Sequence, residues 1–398
     1  MERLLHYVWK YKLYVTTSLE TTDGRPVQVI DPGIQNTDAG PDFFNAKIKI
    51  DGTLWAGSVE IHDKSSNWRL HHHEANKAYD SVILHITGVD DFQPVRTNGE
   101  PIPQMILSVP ENIIRSIDWL LYRDVPLPCL AHIAGIDPLH IACWMEALLS
   151  ERLERKTHDI FLLLDTYQAD WNEVFYITLT RNFGFGVNND AFERLAKSLP
   201  LRCIQKQRSS HSQIEAMIFG QAGMLVEEND DHYYRLLQRE YDFLRHKFAL
   251  SPMEDFVFKN LRTRPVNFPY LKVAQLAALW VQHDTLFSAI LEARSTGDIK
   301  KYFRIPPSDY WETHYHFRYA SPQKEKTIGE NALNILLINT VVPMFFAYGL
   351  YNKRPEYCER ATRLLESIPP EKNSIVSTFC NAGIAVHHAG DSQALIQL

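Results

Sequence analysis

The spacing of hydrophobic positions changes near residue 110, and this change divides the chain into two parts. Between Gly24 and Val109, apolar residues alternate with polar ones or form short runs, and Asp-Pro-Gly, Asp-Gly and Asn-Gly signals separate them. This pattern is typical of strands joined by turns, because successive side chains of a strand point to opposite faces. The predicted strands contain the sequences VQVI, NAKIKI, TLWAGSVEIH, SVILHITG and QMILSV.

The elements around these strands also follow from the pattern. The N-terminal sequence MERLLHYVWKYK predicts an amphipathic helix before the sheet. The continuous apolar run from Tyr79 to Thr87 predicts a central strand that is covered on both faces. Between Trp68 and Tyr79, the sequence WRLHHHEANKAY is too polar for a strand and predicts a loop or a short helix that crosses the sheet.

From about Glu111 onward, the apolar positions follow the helical period. The predicted helices cover Pro138–Tyr167, Trp171–Asn182, Asp190–Ser198, Gln213–Leu225, Asp230–Phe248, Val273–Arg294, Ile328–Tyr351, Pro355–Ser367 and a terminal segment that begins near Ser374. The predicted fold class is therefore α+β. We expect an N-terminal mixed-sheet α/β domain over residues 1–110 and a large, mainly α-helical domain over residues 111–398.

Composition narrows the class of protein without identifying a function. The 398 residues are 45% hydrophobic, and their five scattered cysteines form no CxxC pair, so we expect a packed protein in a reducing cytoplasm. The N-terminus lacks the apolar core of a secretory signal. Residues 332–351 are about long enough to cross a bilayer, but their asparagines and Pro343 favour a buried helix, so we expect no membrane partner. The apolar ending SQALIQL suggests that the natural chain continues.

A candidate site begins in Gly40-Pro41-Asp42-Phe43 and continues in Gly57-Ser58-Val59-Glu60-Ile61-His62. Glu60 and His62 lie two apart in a predicted strand, so their side chains share one face. If a hairpin forms across Asp51-Gly52, Asp42 lies near the same end as Glu60. Two carboxylates and a base can bind a divalent cation and activate water. The alternative is a hairpin with an ordinary polar face, in which Asp42 caps a turn.

The order helix, strand, Asp, strand, Glu-x-basic, with the sequences GPDF and VEIH, resembles the PD-(D/E)XK nuclease superfamily. This resemblance implies a nuclease-like N-terminal domain that binds Mg²⁺ or Mn²⁺. It implies Asp42 and Glu60 as metal ligands, the Ile61 carbonyl as a third ligand, and Glu2 as the acidic residue of the first helix. His62 stands where the superfamily has lysine, and imidazole is not a dependable cation at neutral pH.

Lys64 or Lys47 is the candidate to replace that lysine, and Lys64 shares the required face only if the strand continues through it. The chain also resembles DUF2851, an uncharacterised bacterial family, over nearly its whole length. The sequences SSNWRLHHH, YDSVILHI, NFGFGVN, EAMIFGQAG, RPVNFP, YWETHYHF and SQALIQL carry this second resemblance.

Histidines supply further candidate ligands. His71 and His73 would share a face in an extended segment, and His85 lies on the neighbouring predicted strand. Together with His62 they would form a nitrogen-rich site that suits Zn²⁺, Mn²⁺ or iron better than Mg²⁺. The alternative is that the histidines at 71 and 72 are solvent-exposed and that His85 is a hydrogen-bonded core residue.

Basic and aromatic residues mix in the sequences RTRPVNFPYLK and YWETHYHFRY. Arg262, Arg264 and Lys272 are candidate nucleic-acid contacts, because aromatic rings stack on bases and cations contact phosphates. The alternatives are a solvated face or packing between helices. The net charge of -7 argues against a general duplex binder.

These observations leave three functions open. The leading hypothesis is a cytoplasmic, divalent-metal-dependent phosphodiester hydrolase in which Asp42 and Glu60 hold the cation and His62 positions or activates water. The second is a non-catalytic nucleic-acid-binding or scaffold protein that retains a nuclease-like fold. The third is a metal-dependent hydrolase of a small polar substrate. Convergence of the Asp42, Glu60 and His62 side chains within about 5 Å would favour an enzyme.

Overall fold

A computed structural model describes residues 2–14, 19–36, 40–115, 130–133, 135–253, 258–259 and 264–397. The chain forms two compact units, Met1–Leu127 and Pro128–Leu398. The first contains a mixed sheet and the second is mainly helical, which confirms the predicted α+β class. Arg262, a predicted nucleic-acid contact, lies outside the described residues.

The first unit begins with helix α1 (Glu2–Lys10) and continues with the strands of the sheet. These strands are β1 (Val27–Asp31), β2 (Ile34–Gln35), β3 (Phe43–Ile50), β4 (Thr53–Lys64), β5 (Val82–Val89) and β6 (Gln104–Ile106). The order across the sheet is β1-β3-β4-β5-β6, and β2 pairs with β3. The pairs β1–β3 and β3–β4 are antiparallel, whereas β4–β5 and β5–β6 are parallel.

The predicted hairpin between β3 and β4 is confirmed. Ile50 pairs with Thr53 across Asp51 and Gly52, which have φ values of 48° and 78°. A two-residue turn with both φ values positive matches the right-handed twist of the flanking strands, and the Asp-Gly sequence favours it. Strand β4 then extends to Lys64, so its second half pairs with β5.

A bulge in β3 decides which way Asp42 points. Phe43 pairs with Val59 but Ala46 pairs with Gly57, so β3 has one extra residue here, and Asn45 adopts a φ of 56°. Phe43 and Ala46 are three residues apart and would point to opposite faces of a regular strand. The extra residue turns Phe43 onto the same core face as Ala46. Asp42 consequently comes opposite Glu60 and not opposite the core residue Ile61.

The two faces of the sheet differ in chemistry. Helix α1 buries Leu4, Leu5, Val8 and Trp9 against one face, where strand residues such as Ile48 complete an apolar core. The other face carries buried polar side chains instead, namely Glu60, His62, His85, Thr87 and Gln104. The alternation of β4 explains this separation, because Val59 and Ile61 join the core while Glu60 and His62 point away from it.

The connection from β4 to β5 crosses the polar face. It contains the short helix α2 (Asn67–Leu70) and two 3-10 turns, His73–Ala75 and Lys77–Tyr79, which confirms the predicted short helical crossing. Asp91 fixes its beginning by accepting hydrogen bonds from Ser65 Oγ, Ser66 N and Ser66 Oγ at 2.8–3.0 Å. The histidine-rich sequence is thereby held over β4 and β5.

After β6 the described chain is mostly helical. The helices are α3 (Glu111–Arg115), α4 (Leu130–Ile133), α5 (Pro138–Thr166), α6 (Trp171–Asn182), α7 (Asn189–Ser198), α8 (Leu201–Gln205), α9 (His211–Gln221), α10 (His232–Phe248), α11 (Pro269–Gln282), α12 (Leu286–Glu292), α13 (Thr296–Phe303), α14 (Glu330–Leu336), α15 (Val342–Tyr351), α16 (Pro355–Glu366), α17 (Ser374–Asn381) and α18 (Ala389–Gln397). A small hairpin, β7 (His314–His316) with β8 (Tyr319–Ala320), interrupts them.

Two predicted helices of the second unit were wrong in their extent. The helix predicted over 273–294 is two helices, because the chain leaves the helical conformation at His283, which has φ −122° and ψ 126°. The terminal helix is likewise divided into α17 and α18. Apolar residues such as Ile384 and Val386 continue across the second break and conceal it, whereas the polar residues His283, Asp284 and Thr285 mark the first.

The apolar segment near residue 340 is helical throughout. A π-helical segment, Leu337–Val341, joins α14 to α15. Among the described residues, Glu330–Tyr351 is the one helical stretch long and apolar enough to cross a membrane, and 72% of its most apolar part is buried inside the protein. Lys156 Nζ donates to Asn339 Oδ1 at 2.7 Å, and Asn182 Nδ2 donates to Thr340 Oγ1 at 2.9 Å.

Candidate functional site

Asp42 and Glu60 interlock at the point where the β3–β4 ladder ends. The backbone N–H of Asp42 donates to Glu60 Oε2 at 3.0 Å, and the backbone N–H of Ile61 donates to Asp42 Oδ2 at 2.9 Å. The predicted proximity of the two residues is therefore confirmed. The Asp42 carboxylate accepts this bond across the end of the ladder, whereas the polar-hairpin alternative expected it to cap a turn.

Helix α1 adds two side chains to this corner. His6 Nε2 lies 3.3 Å from Asp42 Oδ2, and both side chains are about one-fifth to one-quarter exposed, at 20% and 24%. Burial lowers the pKa of His6, but the Asp42 carboxylate outweighs this effect and the pKa is raised. Glu2 lies one helical turn before His6. Burial raises the pKa of Glu2, and His6, Asp42, Asp63 and His71 all act on it electrostatically.

Sequence reasoning selected Glu2 but missed His6. The available signal was the spacing of the two residues, because positions i and i+4 share one side of a helix. Nothing in the sequence alone indicates that this side of α1 meets the start of β3.

Three imidazole rings gather beside Glu60. His62 Nε2 lies 3.2 Å from His71 Nδ1 and 3.6 Å from Glu60 Oε1. His73 Nε2 lies 3.3 Å from the same Glu60 oxygen. One potential ligand atom from each of His62, His71 and His73 lies within 4.8 Å of the others. The structure thus brings together Glu60, His62, His71 and His73, with His71 as the exposed member.

His71 and His73 reach the same point through a reversal of the backbone and not through an extended segment. His72 between them has φ 58° and ψ 33°, the left-handed helical region. This reversal separates α2 from the following 3-10 turn and directs both neighbouring rings toward His62. The expectation that the two histidines share a face only in an extended segment was therefore wrong.

Aromatic contacts hold the buried rings in place. The His73 ring stacks on Tyr79 with a centroid distance of 3.7 Å. Trp68 presents its ring to His73 and His85 at centroid distances of 5.3 and 5.4 Å. Trp68 is itself fixed, because it is fully buried and its Nε1–H donates to the Val95 carbonyl at 3.0 Å.

A chain of hydrogen bonds sets the tautomer of His62. Gln104 Nε2 donates to Asp90 Oδ1 at 2.6 Å, which directs Gln104 Oε1 toward His85 Nδ1 at 2.9 Å. An amide oxygen only accepts, so His85 Nδ1 carries its proton and a neutral His85 has a bare Nε2. That Nε2 lies 2.9 Å from His62 Nδ1, which must then be the donor. A neutral His62 consequently points an unprotonated Nε2 at Glu60 and His71.

Burial makes the neutral forms of these histidines dominant. Burial first, and then the neighbouring histidines with His85 foremost, lower the pKa of His62 to about 2. Burial also lowers the pKa of His85 to about 4, although its bond to Gln104 acts in the opposite direction. Glu60 is 4% exposed, and burial together with the Asp42 carboxylate raises its pKa well above the usual range.

The other predicted site residues of the first unit lie next to the cluster around Glu60. Strand β4 continues through Lys64, so Lys64 has the parity of Glu60 and His62, but its side chain is exposed and acts electrostatically on Asp91. Ile61 is buried, and its backbone N–H donates to Asp42 Oδ2 at 2.9 Å. His85 joins the group as a neighbour of His62.

The predicted nucleic-acid contacts of the second unit behave differently from one another. Arg264 is exposed. Lys272 is only 4% exposed, and its Nζ donates to Gln275 Oε1 at 3.1 Å and lies 4.6 Å from the centre of the Phe185 ring. The Lys272 ammonium therefore does not face solvent.

The aromatic sequence YWETHYHF packs within the second unit. Trp311 is fully buried and donates from Nε1 to Glu215 Oε1, while Tyr233 OH donates to Glu215 Oε2 at 2.7 Å. Phe317 is also buried, and Trp311 stacks on Phe219. These contacts agree with the packing alternative for this sequence.

The fold and the site define an α+β protein with a carboxylate- and histidine-lined site on a mixed sheet. A family model described as "Protein of unknown function (DUF2851)" matches residues 2–374, and the chain belongs to that family. No curated protein and no solved structure matches the chain.

Proposed function

We propose that this protein is a divalent-metal-dependent phosphodiester hydrolase whose active site is the cluster around Glu60. The observation that carries the proposal is the convergence of Glu60 with His62 and His73 at 3.6 and 3.3 Å. Buried groups of this kind, with a partly exposed carboxylate–imidazole pair beside them, are typical of sites that bind a cation and activate water.

The order of elements supports a nuclease-like reading. Helix α1 precedes the antiparallel strands β3 and β4, Asp42 comes directly before β3 and Glu60 lies in β4, and the chain then crosses to the parallel strand β5. This is the order helix, strand, Asp, strand, Glu-x-basic that the sequence resemblance implies. The proposal keeps His62 at the lysine position, where it contributes a neutral nitrogen and not a positive charge.

Within the proposal, His6 and Asp42 have the role of moving a proton. Asp42 orients the His6 ring through the 3.3 Å contact, and both side chains are partly open to solvent. An imidazole held by a carboxylate can take a proton from attacking water, and a bound cation would lower the pKa of that water. Glu60 and its neighbouring histidines would hold the cation.

The experiment is a cleavage assay on single-stranded and duplex DNA and RNA with Mg²⁺, Mn²⁺ or Zn²⁺. We expect wild-type cleavage that a chelator abolishes, and a loss of roughly 100-fold or more in Glu60→Gln and His6→Ala. Lys49→Ala is the control, because Lys49 is exposed on the neighbouring strand. Equal activity in all four proteins, or none under any condition, would remove the proposal.

A hydrolase of a small polar substrate is the second candidate. It is favoured by burial, because Glu60, His62 and His73 are 4%, 2% and 8% exposed and leave little room for a polymer. The acidic net charge of -7 agrees with it. Turnover of a small phosphodiester without cleavage of any nucleic acid would identify this alternative.

A non-catalytic protein with a nuclease-like fold is the third candidate. The bond from Ile61 N to Asp42 Oδ2 favours it, since this bond gives Asp42 a structural role.

We propose a cytoplasmic location for all three candidates, supported by free thiols at the described cysteines 143, 203, 358 and 380.

A further inference from the structure

We infer that the cation of this site is a Zn²⁺-class ion held by His62 Nε2, His71 Nδ1, His73 Nε2 and one oxygen of Glu60, and not an oxygen-bound Mg²⁺. The inference rests on the proposed function, because it names the metal that the proposed active site would bind. It can be tested by metal binding alone, without any assay of hydrolysis.

The distances between the four ligand atoms support this assignment. Ligands bound tetrahedrally to Zn²⁺ at roughly 2.0–2.1 Å lie roughly 3.3–3.4 Å from one another. The His62–His71, His73–Glu60 and His62–Glu60 separations are 3.2, 3.3 and 3.6 Å. Three of the six edges of the tetrahedron thus have nearly the required length, and the other distances among the three histidine ligand atoms are within 4.8 Å, so closure around an ion requires a further approach of these ligands.

The tautomer of His62 supports it independently. The hydrogen bonds from Asp90 through Gln104 and His85 place the His62 proton on Nδ1, so Nε2 offers a lone pair toward the other ligands. Metal-binding histidines are commonly oriented by such a bond from the second ring nitrogen.

The ligands are also fixed before any ion binds. Tyr79 stacks on His73, Trp68 covers His73 and His85, and β4 holds Glu60 and His62. His71 alone of the four is exposed, so it forms the solvent side of the site. Little reorganisation is then needed for binding, which favours affinity.

Asp42 lies outside this ligand set. Its Oδ2 already accepts the Ile61 N–H at 2.9 Å and contacts His6 at 3.3 Å. Glu60, in contrast, accepts the Asp42 N–H with Oε2, and its other oxygen, Oε1, contacts His62 and His73. Among the site residues described above, Glu60 is therefore the carboxylate placed to join the histidines in binding a cation. One carboxylate and three imidazoles suit Zn²⁺, Co²⁺ or Mn²⁺, whereas Mg²⁺ prefers oxygen ligands.

The first experiment measures metal binding to the full chain after chelator treatment and dialysis. Zn²⁺ is titrated against a chromophoric chelator, and Co²⁺ is added as a spectroscopic substitute. We expect one equivalent of Zn²⁺ that excess Mg²⁺ does not displace, and an intense visible Co²⁺ spectrum of tetrahedral type. A stoichiometry of zero, or displacement by Mg²⁺, would overturn the inference.

The matched variants are His71→Ala and His72→Asn. Both residues are exposed neighbours, but only His71 has a nitrogen within reach of His62. Asparagine tolerates the left-handed conformation of residue 72. We expect His71→Ala to weaken Zn²⁺ binding by roughly 100-fold or more, beyond the usual effect of an outer residue, and His72→Asn to leave it unchanged. Equal binding in both variants would show that His71 only donates a hydrogen bond to His62.

A third variant tests the residues behind His62. Gln104→Met keeps the approximate side-chain volume but removes the acceptor of His85 Nδ1 and the donor to Asp90. We expect Zn²⁺ affinity to fall about 10–100-fold while circular dichroism shows a folded protein. Unchanged affinity in folded protein would remove the proposed positioning role.

The results separate the metal inference from the proposed function. Stoichiometric Zn²⁺ that depends on His71, without hydrolysis of any phosphodiester, would support the metal site and remove the enzymatic proposal. Mg²⁺-dependent cleavage that is unaffected by His71→Ala, without Zn²⁺ binding, would do the reverse.

Discussion

At the scale of single residues, His72 shows how one unusual backbone conformation assembles a site. Its φ of 58° costs a non-glycine residue roughly 1 kcal/mol, yet it brings the rings of His71 and His73 together. The sequence HHH gave no sign of this reversal. Periodicity rules describe helices and strands, and they fail at a single residue that belongs to neither.

Substitutions at His72 should reveal this role. We expect His72→Gly to be neutral or to stabilise by up to about 1 kcal/mol, because glycine adopts this conformation without a steric cost. His72→Val should destabilise by roughly 1–2 kcal/mol, because a β-branched residue is strained there. Urea unfolding measures both free energies, and equal values for the two variants would contradict the argument.

Lys272 provides a second test at this scale. Its pKa is lowered by burial to about 8, whereas the unfolded chain keeps the ordinary value near 10.5. Between these pH values the unfolded state binds a proton that the folded state does not, so the free energy of unfolding rises with pH. Below pH 8 the buried lysine costs on the order of 3 kcal/mol.

We therefore expect Lys272→Met to gain stability relative to wild type at neutral pH and to lose that advantage between pH 8 and 10. Chemical unfolding at several pH values measures the difference. Lys301→Met is the control, because Lys301 is 77% exposed and its difference from wild type should not follow this curve. A constant difference for Lys272→Met would show that its ammonium remains charged.

At the scale of elements, close helix packing in the second unit depends on a glycine. A Cβ added at Gly220 in α9 would lie 2.0 Å from the Tyr241 ring of α10. We expect Gly220→Ala to destabilise by roughly 1–3 kcal/mol, because this buried ring must move. Gly297→Ala in α13 has nothing closer than Ser295 Oγ at 3.7 Å and should be neutral or slightly stabilising. Thermal unfolding distinguishes the two, and similar melting temperatures would refute the expected clash.

The extra residue at Asn45 is the corresponding feature of the sheet. The alternation of NAKIKI does not reveal it. A bulge changes which face the preceding side chains point to, but it leaves the types of residue in the strand unchanged. The strands themselves were predictable because β3 and β4 alternate clearly and Asp51-Gly52 marks their turn. The helices α5, α6 and α16 were also predicted closely, since their apolar periodicity is long and proline or aspartate marks their beginnings.

At the scale of the whole molecule, the net charge of -7 bears on the choice of substrate. A polyanion meets an acidic protein more readily when salt screens their repulsion. If nucleic acid is cleaved, we expect kcat/KM to stay constant or rise between low and physiological ionic strength. Nucleases with basic surfaces lose affinity over this range. A steep fall of kcat/KM with salt would instead indicate a local basic surface that dominates binding.

The sequence by itself determined the α+β class, the change from strands to helices, the β3–β4 hairpin and the proximity of Asp42 to Glu60. These features depend on local periodicity and turn chemistry, which act over a few neighbouring residues. The tertiary structure decided that His6 contacts Asp42, that His71 and His73 converge on His62, and that Gln104 and Asp90 orient it through His85. The reason is that a site depends on short distances between residues that are far apart in the chain. Here the bulge in β3, the left-handed conformation of His72 and the crossing of the sheet between β4 and β5 determine those distances.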